Sequence, residues 1–272
     1  MREPWNLERK WRVSPANYDP AVTSQYHFAP KVEILDTTLR DGEQQPSLFI
    51  SPGDRIRLVK QLDAIGIHRI EAGNPSISRQ DADSVKAICD LGLKAKIYVF
   101  CRAMAADAKL AKDCGVDGVL MEIPSSEHLL KYGKRWSVEK AIQAAIEGTR
   151  AAKEQGLLVS FFPADSSRAE IPYLLDMIDR VKTEGHMDSV VLVDTFGCYT
   201  PTAAAYTVRR IKERFPALPV EAHFHEDFDM GVANTIAAFT AGADVAHTTI
   251  NGVGERAGSV PYVPLVLALK VL

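Results

Sequence analysis

No stretch of this 272-residue chain holds the ~20 consecutive apolar residues that a membrane-spanning helix needs. The first twenty residues, MREPWNLERKWRVSPANYDP, are polar and lack the apolar centre of a signal peptide. Cysteine is scarce. Cys89, Cys101, Cys114 and Cys198 are the four, and they form neither a CxxC pair nor a zinc-knuckle spacing. Three of them lie in apolar periodic segments and read as buried thiols, so a reducing cytoplasm is the expected compartment. Charge of one sign is not in excess: 32 Lys and Arg oppose 35 Asp and Glu, a net of −3. Without a basic stripe, nucleic acid and anionic membranes are poor partners. A dinucleotide fingerprint is missing too. GVGERAG, residues 252–258, is glycine-rich, but it is not a GxGxxG opening a helix with an acid downstream. It reads as a loop whose backbone can approach a ligand.

What is present is enough apolar material, 46%, for a sizeable core. Residues 1–30 form a polar arm that carries Trp5, Trp11, Tyr18 and Tyr26. Aromatics in such an arm point to docking on a surface, its own or a partner's; a disordered tail is the alternative. From residue 31 the chain alternates short β-branched runs with longer helical stretches, punctuated by Gly or Pro. The first unit is KVEILD followed by SPGDRIRLVKQLDAIG. Ser51 is its predicted N-cap, Pro52 its first helical residue and Asp54 the acid three residues on. Ile56, Val59, Leu62, Asp63 and Ile65 make a mostly apolar stripe, and Gly66 ends the helix. Seven further units follow the same plan, and most of their helices close on glycine just before the next strand. Successive strand–helix units with right-handed crossovers build a parallel sheet. Eight of them over residues 31–272 predict an α/β fold, a (β/α)8 TIM barrel with an N-terminal extension. An open doubly wound sheet is the alternative.

In such a barrel chemistry belongs to the carboxyl ends of the strands. There the sequence places DTTLRDGEQQ, Glu71 in IEAGNP, Glu122 in MEIPSSEH, FFPADSSR, VDTFGCYTP, HFHED and TINGVGERAG. His223 and His225 are two residues apart on a predicted strand, so both leave it on one face. Two adjacent imidazoles that share a divalent cation use both lone pairs and avoid mutual repulsion. Asp41, after the first strand, is the obvious carboxylate to join them, because the first, seventh and eighth strands are neighbours in a closed barrel. Such a site leaves coordination positions open for Lewis-acid work on an oxygen substrate. The alternative is that both histidines hydrogen-bond the acids that follow. Of these, Glu226, Asp227 and Asp229 read as partners of the ligands and as the cap of the seventh helix. Arg40 is a candidate clamp for a carboxylate or a developing oxyanion, or a structural partner of Glu71 or Glu122.

LDTTLRDGEQ, the His223 and His225 pair, and NGVGERAG, in that order, resemble the metal-dependent TIM-barrel metallolyase superfamily. It includes 2-isopropylmalate, homocitrate and citramalate synthases and 3-hydroxy-3-methylglutaryl-CoA lyase. The resemblance spans residues 31–272, and it implies a divalent metal (Mg, Mn or Zn) on Asp41, His223 and His225. It implies Arg40 as the group that polarises a carbonyl, Glu71 as its orienting acid and Thr195 as a contact for a 2-oxo acid carboxylate. Glu122, Asn74, Gly254 and Glu255 are expected to contact substrate; no acyl-CoA-binding residue is named. The implied reaction is a Claisen-type condensation of acetyl-CoA, as co-substrate, with a 2-oxo acid, by a cytoplasmic homodimer in amino-acid biosynthesis.

The lyase reading is the runner-up, since its loop cysteine has no counterpart between Cys198 and Leu272. A barrel that binds metal or oxo acid without turnover is the third reading. Two positions depart from the pattern. Ser259 stands where many relatives have Asn, and Ala164, followed by Asp165, stands where the synthases carry a glutamate. In the synthases an extension past the barrel contributes to the acyl-CoA site; this sequence stops at Leu272, within the last helix.

Overall fold

The structure is a computed structural model that describes residues 5–8 and 10–272. Eight parallel strands close into a barrel: β1 (Glu33–Asp36), β2 (Arg69–Glu71), β3 (Lys96–Arg102), β4 (Gly118–Pro124), β5 (Leu158–Ala164), β6 (Ser189–Asp194), β7 (Val220–Phe224) and β8 (Val245–Thr248). β8 pairs with β1 through His247↔Leu35 and Thr248↔Asp36, so the sheet has no free edge. The helices that follow the barrel strands are α1 (Pro52–Ala64), α2 (Arg79–Cys89), α3 (Ala105–Cys114), α4 (Val138–Glu154), α5 (Ile171–Glu184), α6 (Pro201–Arg214), α7 (Gly231–Thr240) and α8 (Tyr262–Val271). No helix among the described residues is long and apolar enough to cross a membrane.

Local chemistry explains the helix starts. Ser51 Oγ accepts from the Asp54 N–H at 3.2 Å and donates to the Asp54 carboxylate at 2.6 Å, which satisfies one orphan donor of the first turn. Ser78, Ser137 and Thr200 cap α2, α4 and α6 in the same way. Gly66 has φ +86° just past α1, the left-handed stop expected of glycine. Gly185, after α5, does not take that conformation (φ −107°). The predicted stripe of α1 needs one correction: Ile65 is exposed and Arg55 turns inward instead. Ile65 is already the C-cap, so it has left the buried face. Asp63 accepts from the Lys94 and Ala95 N–H groups at 2.8 Å, tying α1 to the loop before β3.

Two apolar layers result from strand alternation. Ile70, Val99, Val119, Val159, Val190 and Ala222 point outward and pack under the helices. Leu35, Tyr98, Leu120, Phe162, Val191, Val193 and Val245 point into the barrel. The interior is not wholly apolar. Glu221 Oε1 accepts from Arg69 Nη1 at 3.0 Å, Ser160 Oγ at 2.8 Å and Ser189 Oγ at 2.5 Å. Burial pushes its carboxyl up, but hydrogen bonds from His247 and Ser189 and the charge of Arg69 bring it down to about 2.

The N-terminal arm touches its own barrel. Tyr18 Oη donates to the Val271 carbonyl at 2.9 Å, and the His27 N–H to the Thr240 carbonyl at 2.8 Å. The cysteines are free: Cys101 and Cys114 are buried, Cys89 is half-buried and Cys198 is exposed.

α4 lies close to the β3–α3 loop, and Gly148 makes this possible. A Cβ there would come within 2.7 Å of the Ala103 backbone. Gly148→Ala should therefore cost about 1–3 kcal/mol in denaturant unfolding. Gly53→Ala, where a Cβ would meet nothing within 4 Å, should be neutral or slightly stabilising. Equal midpoints for the two variants would refute the packing argument.

Candidate active site

The site is assembled by three loops. After β1, the Thr37 carbonyl accepts from the N–H groups of Arg40, Asp41 and Gly42 at 3.0, 2.8 and 3.3 Å. This tight turn aims Arg40 and Asp41 into the barrel mouth. Asp36 supports it by accepting from the Thr38 N–H and hydroxyl, both at 3.0 Å, and burial raises the Asp36 carboxyl to about 7. The Ile250 N–H donates to Thr38 Oγ1 at 2.8 Å, which joins the loop after β8 to the loop after β1. At the end of β7, His223 lies within the strand; His225, one residue beyond it, forms an isolated bridge with Ser259.

Asp41, His223 and His225 converge. One ligand atom from each lies within 4.8 Å of the others, and all three residues are buried. His225 Nε2 is 4.0 Å from Asp41 Oδ1. Asp41 Oδ2 and His225 Nδ1 are buried without a hydrogen-bond partner. Each such orphan costs roughly 1–3 kcal/mol unless something satisfies it. His223 is pulled well below the usual imidazole range, first by burial and then by His225, His247 and Arg40. It is therefore neutral, with a lone pair to offer. Gly254 packs beside the carboxylate, since a Cβ there would lie 3.2 Å from Asp41 Oδ2 and 2.9 Å from the Ser259 nitrogen. Two imidazoles, a carboxylate and two orphaned buried atoms fit a divalent cation.

Arg40 sits beside this cluster. Its Nε donates to Glu71 Oε1 at 2.8 Å and its Nη1 to Gln44 Oε1 at 2.9 Å, while the guanidinium lies 5.0 Å from the centre of the Phe100 ring. Nη2 is buried and has no partner. Burial alone would lower its pKa, but Glu71 and Asp41 raise it, so the cation is held with one N–H edge free. A hydrogen-bonded rim continues from Gln44 Nε2 to Glu255 Oε1 at 3.0 Å. Arg256 closes it, donating to Glu255 at 3.2 Å and to Asp227 at 2.7 Å.

Arg40, Asp41, Gln44, His223, His225 and Glu255 line a cavity of about 350 Å³ with Asn74, Phe100, Glu122, Phe162, Ala164 and Thr195. Thr195 Oγ1 accepts from the Asp165 N–H at 2.8 Å, which leaves its own proton free to donate. Asn74 Oδ1 accepts from the Ser76 N–H and hydroxyl at 3.0 and 2.7 Å, leaving its amide nitrogen toward the cavity. Burial raises the Glu122 carboxyl. Asp165 does not stand in for a carboxylate at Ala164. It is buried, binds Arg168 at 2.7 and 2.6 Å, and accepts from Ser126. Ser259 Oγ donates to the Phe224 carbonyl at 3.3 Å.

The acids after His225 need correction. Neither histidine hydrogen-bonds them. Of the three, Glu226 meets the start of α7, accepting from the Gly231 N–H at 2.8 Å. Asp227 is committed to Arg256, and Asp229 occupies a left-handed turn with φ +53°. Sequence reasoning also missed His247. Its Nδ1 lies 3.2 Å from His223 Nδ1 and its Nε2 2.7 Å from Glu221 Oε2. The only signal was a histidine on the inward period of the eighth strand, uninterpretable without the register to β7.

Fold and site together define a parallel (β/α)8 barrel with a candidate divalent-cation centre at the carboxyl ends of its strands. The chain belongs to the HMGL-like family, whose model matches residues 31–272. It is 35% identical over 263 residues to homocitrate synthase AksA of Methanothermobacter thermautotrophicus, covering 97% of this chain and 66% of that protein. It is 40% identical over 252 residues to a probable 2-isopropylmalate synthase of Ignicoccus hospitalis, covering 92% and 63%. With (R)-citramalate synthase CimA of Methanocaldococcus jannaschii the identity is 38% over 241 residues, covering 89% and 49%. The chain thus spans about half to two thirds of these curated relatives. Among solved structures, HMG-CoA lyase of Bacillus subtilis superposes with a TM-score of 0.80 at 20% identity, over 89% of this chain and 87% of that one. At that identity the likeness establishes the fold.

If the cluster holds a cation, saturating Mn2+ should raise the melting temperature; 100-fold excess over Kd corresponds to about 2.7 kcal/mol. His223→Ala and Asp41→Asn should lose that increment. A His223→Ala chain that keeps the full Mn2+ response would remove the assignment.

Proposed function

We propose that this chain is the catalytic barrel of an enzyme that condenses acetyl-CoA with a 2-oxo acid, a reading supported by its likeness to homocitrate, citramalate and 2-isopropylmalate synthases. The observation that carries the reading is the convergence of Asp41, His223 and His225 beside an arginine with a free N–H edge. Asp41, His223 and His225 would hold a divalent metal, which when bound would supply Lewis-acid polarisation of a substrate carbonyl. Arg40 Nη2 donates to the oxygen on which negative charge develops, and Glu71 keeps the guanidinium in place. The Thr195 hydroxyl donates to the oxo-acid carboxylate. Asn74 and Glu122, with Phe100 and Phe162, face the side chain of that acid. Gly254 lets the backbone come close to the metal-binding carboxylate, and Glu255 braces the rim through Gln44. In the overall reaction the acetyl methyl loses a proton and forms a carbon–carbon bond to the ketone carbon. The ketone oxygen becomes a hydroxyl, and hydrolysis of the thioester releases free CoA thiol.

Thiol release from acetyl-CoA should require both Mn2+, Mg2+ or Zn2+ and a 2-oxo acid, tested with short, branched and dicarboxylic side chains, and should stop on chelation. Cleavage of 3-hydroxy-3-methylglutaryl-CoA in place of condensation would replace the reading with the lyase. Metal binding without turnover of any thioester would replace it with a binding role.

Arg40→Met should lower kcat by about 10²–10³ while Mn2+ still binds. An unchanged kcat in that variant would exclude Arg40 from the reaction.

A further inference from the structure

Beneath the cluster, a line of buried polar groups runs from His223 through His247 to Glu221. His223 is 1% exposed, and His247 and Glu221 are fully buried. Phe162 closes the side of this line, its ring centre 5.2 Å from that of His223 and 6.5 Å from that of His247. The register explains the alignment. Val245 pairs with Glu221 and Ala246 with Ala222, so one further step places His247 beside His223 on the inward face.

We propose that His247 and Glu221 are positioning residues that fix the tautomer of His223, so that Nε2 presents its lone pair to the cation. A carboxylate only accepts, so Glu221 Oε2 requires the proton of His247 on Nε2. Glu221 already has Arg69 as its counter-charge at 3.0 Å, with Ser160 and Ser189 on the same oxygen. His223 turns its Nδ1 to His247, so a cation can reach only Nε2, and a ring nitrogen that binds a cation carries no proton. With its proton on Nε2, His247 offers its Nδ1 as an acceptor. His223 Nδ1, 3.2 Å away, must then donate, and only Nε2 is left for a metal. Groups that orient a metal-binding histidine through its other nitrogen commonly change metal affinity about 10–100-fold when removed. The inference rests on Asp41, His223 and His225 forming the cation site, and not on the reaction served there.

The test has two arms. In the metal-free parent chain labelled with 15N-histidine, NMR should show one ring protonated on Nδ1 and assigned to His223, with His247 protonated on Nε2. The His247→Asn spectrum supplies the assignments. His223 protonated on Nε2, or His247 present as imidazolium at neutral pH, would overturn the relay. In Mn2+ titrations, His247→Leu should bind about 10–100-fold more weakly than the parent. His247→Asn, whose side-chain oxygen can still accept near Nδ1, should recover most of that loss. A folded His247→Leu chain that binds Mn2+ like the parent would overturn the proposal. The NMR arm needs no folded variant other than the conservative one. Both readouts are independent of turnover: a chain with the stated tautomer that binds Mn2+ but releases no thiol ends the proposed reaction and leaves the relay standing.

Discussion

Closure of the sheet between β8 and β1 is the contact on which everything else depends. The pairs Ala246↔Ile34, His247↔Leu35 and Thr248↔Asp36 make the last strand a neighbour of the first. The pairs Val245↔Glu221 and Ala246↔Ala222 make it a neighbour of the seventh. Asp41, from the start of the barrel, thereby meets His223 and His225 from near its end. The Thr38–Ile250 hydrogen bond then ties the loops above the seam. An open sheet of the same eight strands would hold the same side chains far apart.

The barrel interior grades from satisfied to unsatisfied polarity. Toward the amino ends of the strands, Glu221 is matched by Arg69, Ser160, Ser189 and His247. Toward the carboxyl ends, Asp41 Oδ2, His225 Nδ1 and Arg40 Nη2 are left over. Buried polar atoms are costly unless paired. Unpaired ones gathered at one end, facing a cavity, mark where a ligand completes the arrangement. The apolar walls formed by Phe100 and Phe162 lower the local dielectric, which strengthens every remaining charge interaction.

Much of the architecture was readable because it rests on local rules. Ser51 and Asp54 cap α1, and Gly66 stops it, as their spacing predicts. Ile65 was misread because a residue at a helix end has already turned away from the buried stripe. Of the three acids read as ligand partners and as the cap of α7, Glu226 is the one that meets the start of the helix, folding back across a left-handed turn at Asp229. The proximity of Glu71 to Arg40 was open in the sequence, since Glu122 also lies at a strand end. The structure brings Glu71 within 2.8 Å and leaves Glu122 facing the cavity.

Strand period, helix caps and the order of the units are properties of neighbouring residues, so the sequence by itself determined the barrel and the shared face of His223 and His225. Which side chains meet across the interior depends on stagger between strands, and that is set only when the sheet closes. The contact of His247 with His223 and the free edge of Arg40 are decided there. Pairing between strands distant in sequence carries no local signature, because each strand satisfies its alternation equally well in several registers.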